Sequence, residues 1–79
     1  MDRQILEVLA RRLETRFPDP RATIERLLVN ETFRDICSDY EECSKSLRHW
    51  AEKDSLRVRE YEHLLTDLFQ EIASYLENH

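Results

Sequence analysis

The sequence predicts an all-α fold, a small bundle of three to four helices built on a long antiparallel helical hairpin. Three observations carry this. The chain has no glycine, only two prolines and 37% charged residues, a mixture that suits long helices and lacks the turn residues a sheet requires. Phe33, Ile36, Tyr40, Cys43, Leu47 and Trp50 follow one another by alternating steps of three and four. That is a heptad seam, which keeps one narrow apolar stripe facing a partner helix. Val58, Tyr61, Leu65, Leu68, Ile72 and Tyr75 repeat the alternation. Two matched seams across a short polar break read as adjacent antiparallel helices.

The first helix is expected over 2–17. Ile5, Leu9, Leu13 and Phe17 recur every four residues, and Leu6 and Ala10 widen the stripe. Arg3, Arg11, Arg12 and Arg16 occupy the other side or its flanks. They read either as a site for phosphate or an acidic partner, or as a solvated face with bases near the helix C-terminus. Pro18 ends this helix by pushing Phe17 out of the α region. Asp19-Pro20 starts a second helix over 20–29, with aspartate as cap and proline in the first helical position. Asn30 reads as its C-terminal residue. Thr32-Phe33-Arg34-Asp35 fits the capping pattern of a third helix over 32–51. After the break E-K-D-S, Asp54 or Ser55 can cap a fourth helix over 55–77. Leu64, Phe69 and Leu76 widen its apolar stripe beyond what one partner helix covers. The first two helices, or a second copy of the chain, are expected to cover the excess.

A chain of 79 residues holds one domain, 1–79. It buries only about 60–65% of its unfolded surface, so regular helix packing or association must support the core. Residues 1–30 carry six arginines against five acids, and residues 31–79 six bases against twelve acids. An acidic hairpin repels nucleic acid and anionic lipid. The opening M-D-R-Q-I-L-E-V-L-A-R-R has no uninterrupted apolar core and does not read as a signal peptide. No apolar run approaches the roughly 20 residues that span a bilayer. Cys37 and Cys43, six positions apart on one helix, stand about 9 Å apart along its axis, too far for a disulfide. Reduced thiols agree with a cytoplasmic address, and the lack of a spanning run predicts a soluble protein.

No motif for catalysis emerges. Without glycine there is no phosphate-binding loop, dinucleotide fingerprint or nucleophile elbow. Glu60-x-x-His63 has the spacing of a di-iron carboxylate motif but occurs once and on the outer face of the heptad. The cysteines and histidines, His49 and His79 included, lack zinc-site spacing. Cys43 lies in the seam and Cys37 beside it, and Asp35, Asp39, Glu41 and Glu42 disfavour a thiolate. No catalytic residue, metal ligand or cofactor is expected. Trp and Tyr dominate interface hot spots, and the interface candidates are Trp50, Tyr61, Leu64, Phe69 and Leu76.

From Asn30 onward, T-F-R-D-I-C-S-D-Y-E-E-C, the apolar seam, E-K-D-S and the return helix ending D-L-F-Q-E-I-A-S-Y-L resemble small bacterial helical-hairpin proteins of the YdcH type. The likeness spans Phe33 to Leu76. The family usually places proline just before the phenylalanine, where this chain has Thr32, and residues 1–30 have no counterpart there. The resemblance implies an antiparallel hairpin and no particular activity.

The expected function is therefore a non-catalytic protein–protein interaction module, an adaptor, assembly factor or regulator that self-associates as a homodimer. The alternative is an acidic partner that neutralises a basic protein, as antitoxins and inhibitors do. A metal or redox enzyme ranks third.

Overall fold

A computed structural model describes residues 2–78 as four helices, with no strand among them. The carboxylate of Asp2 accepts the Gln4 N–H at 2.8 Å and starts α1, Arg3–Leu13. The helix ends earlier than the apolar period predicts. Both the Arg16 and Phe17 N–H groups fall back on the Leu13 carbonyl, so the chain tightens into a turn ahead of Pro18. Asp19 then accepts the Ala22 N–H at 3.3 Å, with Pro20 in the first turn of α2, Pro20–Leu27.

Helices α2 and α3, Glu31–Trp50, are separated by a turn at Leu28–Val29. Asn30 belongs to the second of them and does not close the first. Its side-chain oxygen accepts the Phe33 N–H at 3.0 Å. The chain reaches Asn30 in extended conformation, φ −79° and ψ 122°, so this residue is the cap and Thr32 lies inside the first turn. Asp54 caps α4, Ser55–Asn78, by accepting the N–H groups of Leu56 at 3.1 Å and Arg57 at 3.3 Å. As a straight rod the 24 residues of α4 span about 36 Å. The longest extent of the molecule is 37 Å, so this helix sets its long axis.

Helices α3 and α4 pair as the hairpin, and α1 and α2 lie against its open end. One core draws on all four. Leu9 and Leu13 of α1, Ile24 of α2, Phe33, Cys37, Tyr40 and Cys43 of α3, and Leu68, Ile72 and Ala73 of α4 are all buried. Burying one such leucine contributes about 1.5–3 kcal/mol, and the core joins seam residues of the hairpin with the apolar stripe of α1 and Ile24 of α2. Cys37, placed beside the seam by the heptad, is sealed more completely than Cys43, because α1 and α2 close over its side of α3.

The wide apolar stripe of α4 is covered from within the chain at Phe69 and Leu76, while Leu64 stays exposed. Phe69 and Leu76 are 8% and 6% exposed. Both are core residues, which corrects the expectation that they form an interface. The Arg12 guanidinium lies 4.2 Å from the Phe69 ring centroid and donates to the Tyr40 hydroxyl at 3.1 Å. Arg16 meets Glu77 at 2.7 Å. One helix thus ties down both arms of the hairpin.

Candidate functional site

Residues that the core does not use gather on two flanks of the hairpin. The first flank is a groove between α1 and the hairpin. Two adjoining depressions of about 410 and 310 Å³ share Ile5, Val8, Arg12 and Arg48. Leu47, Ala51 and Leu65 continue the apolar floor, and Arg11 joins the rim. Ile5 and Val8 lie one turn apart on α1, and Leu47 of α3 and Ala51, which closes that helix, lie one turn apart, so each side supplies one apolar wall.

The electrostatics of this groove are unlike those of the rest of the molecule. Among the described residues no carboxylate pairs with Arg11, Arg12 or Arg48. The one acid on the rim, Glu7, is engaged by Arg21 at 3.7 Å. Three uncompensated guanidinium groups therefore surround an apolar floor in a chain of net charge −5. Val8 stands on that floor 49% exposed.

The second flank is a cleft of about 280 Å³ between α3 and α4, lined by Asp39, Glu42, Cys43, Ser46, Tyr61, Leu64 and Leu68. Its rim is acidic. The Cys43 thiol at its base donates to the Tyr61 carbonyl at 3.3 Å. Burial pushes the Cys43 thiol up from its ordinary pKa, and pushes Cys37 up to about 12. Both are neutral thiols at physiological pH and poor nucleophiles.

The five interface candidates do not form one patch. Tyr61 and Leu64 share the acidic cleft. Trp50 is half-buried at the hairpin end, where the Arg57 guanidinium stacks 4.6 Å from its ring and the His49 ring meets it edge-on at 5.0 Å. Phe69 and Leu76 face inward. Glu60 and His63 are both exposed on α4, and no group of three His, Cys, Asp or Glu side chains able to hold a metal occurs among the described residues. His79 lies outside those residues. No helix among them is long and apolar enough to cross a membrane.

Sequence reasoning singled out Arg11 and Arg12 but missed Val8 and Arg48. Val8 was legible as an apolar residue off the four-residue repeat of α1. Arg48 was not, because only the packing of α1 on the hairpin brings it beside Arg11 and Arg12.

Comparison of the chain with models of known protein families, with curated proteins and with solved structures yields no match. The likeness to YdcH-type hairpins rests on the residues quoted above.

Proposed function

We propose that this protein is a non-catalytic interaction module that docks an acidic amphipathic helix in the groove between α1 and the hairpin. The observation that carries the reading is the set of uncompensated arginines, Arg11, Arg12 and Arg48, around an apolar floor. Two flanking helices form a trough suited to a third, whose apolar residues would fall on Val8, Leu47 and Leu65. Acidic residues at its edges would meet the guanidinium groups, for which carboxylates are the natural partners. A nucleic acid fits poorly, since the chain is acidic overall and the aromatic in the groove lining, Tyr40, is buried and offers no stacking platform.

The test is affinity capture with tagged full-length protein beside Val8→Glu, which places a buried-on-binding charge on the floor. A co-purifying partner lost with Val8→Glu, while the helical circular dichroism is retained, supports docking in the groove. Equal recovery on both proteins overturns it.

A second reading, an acidic regulator of a basic protein, draws on the Asp39–Glu42 cleft. It predicts partners that survive Val8→Glu and are lost with Asp39→Lys combined with Glu42→Lys.

A further inference from the structure

Helix α4 carries an outward stripe with the chemistry that the groove would take. Leu56, Glu60, Leu64, Asp67 and Glu71 follow one another at steps of four, four, three and four, and all five are exposed. That spacing holds one face of a helix over four turns. Leu56 and Leu64 are 64% and 48% exposed, too much for leucines with a role in their own core. Among the described residues no base pairs with Glu60, Asp67 or Glu71. The chain therefore bears an arginine-rimmed trough and an unpaired acidic ridge with two leucines along it.

We infer that the occupant of the groove is the outward stripe of α4 from a second copy of this chain. The inference rests on the groove being a docking site and names its partner. Trough and ridge are complementary in apolar surface and in sign of charge, and three guanidinium groups stand against three carboxylates. Within one molecule the two cannot meet. Leu65 of α4 faces the groove, and the stripe lies on the opposite side of the same helix, about 140° away at 100° per residue. A contact between two different surfaces facing opposite ways is heterologous. It generates an open head-to-tail array, or a ring if the rotation closes, and not a two-fold dimer. This refines the homodimer expected from the sequence.

Two substitutions separate the surfaces without touching the core, since Val8 and Leu64 are both half-exposed. Val8→Glu disables the groove and leaves the stripe, and Leu64→Glu disables the stripe and leaves the groove. In sedimentation velocity the wild-type protein is expected to grow in mass with concentration beyond a dimer, less so in high salt. Each variant alone is expected to remain a monomer. Their equimolar mixture is expected to give a one-to-one pair and nothing larger, because only one productive contact is left. A wild-type protein that stays monomeric at every concentration overturns the inference. So does a closed dimer, or an assembly that either substitution leaves intact. A monomeric wild type whose captured partner is still lost with Val8→Glu overturns only the identity of the occupant, and the docking groove stands.

Discussion

Cys37 and Cys43 show how a reactive residue type is made inert. Both cysteines are buried in the core, and for each the largest influence is the loss of water, which penalises the thiolate. A group whose proton is held more tightly in the folded state stabilises the fold fully below its unfolded pKa. That contribution is lost as pH rises toward the folded value. The unfolded reference is 9.0 and Cys37 in the fold stands at about 12. Stability is therefore expected to be level up to about pH 9 and to fall above it as the unfolded chain releases the protons. Replacing both cysteines by alanine lowers stability at neutral pH, through the cavities left behind, but flattens the alkaline limb. Thermal melts of both proteins from pH 7 to 11 check this. Parallel alkaline limbs would mean the thiols are not the groups responsible. Arg12 makes the opposite use of its surroundings: its charge stays in water while its planar face covers Phe69 and an N–H reaches Tyr40, a contact contributing about 0.5–1 kcal/mol.

At the scale of elements, the helices were legible where one local signal was unopposed. Asp19-Pro20 named the start of α2, and Asp54 or Ser55 that of α4, where Asp54 is the cap. The seam named the pairing of α3 with α4. Before α3 the sequence pattern put the helix start at Thr32 and read Asn30 as the end of α2. The chain arrives extended at Asn30, which leaves the Phe33 N–H pointing at the asparagine. A choice of that kind depends on how the preceding turn is folded, which no local motif encodes. Asn30→Ala is therefore expected to cost about 1 kcal/mol, lowering the melting temperature by about 4–8 °C for a domain this small. Thr32→Ala is expected to stay within about 0.5 kcal/mol. Thermal denaturation of the two variants decides it, and the reverse ranking would restore Thr32 as the cap. The groove was legible only in halves. Arg11 and Arg12 stood out on α1, but nothing in the spacing of α3 says that Arg48 will lie across from them, because that is set by where α1 crosses the hairpin.

For the whole molecule, the distribution of the core matters more than its size. A uniform heptad seam suggests a hairpin packed evenly from end to end. Burial is instead concentrated where α1 and α2 cover it, at Phe33–Cys43 of α3 and Leu68–Leu76 of α4. Toward the connection the same seam positions, Leu47, Trp50, Val58, Tyr61 and Leu65, are only half-buried, since two helices alone cannot enclose a stripe. The proposed assembly stripe begins in this thinner half, at Leu56. Cooperative units follow buried contact, so the connection end is expected to open without unfolding the rest. Native-state hydrogen exchange across a guanidinium series tests this. Amides of residues 33–43 and 68–76 should exchange only through global unfolding, and those of residues 47–62 should exchange through a smaller opening that denaturant scarcely affects. In dilute solution, where copies are apart, the difference should be greatest. Raising the protein concentration should selectively slow the amides at the start of α4, as a second copy covers Leu56 and Leu64. Equal protection along both arms at low concentration would mean that the seam by itself holds the hairpin closed, and that α1 and α2 add area to the core without dividing the molecule into a firm half and a loose one.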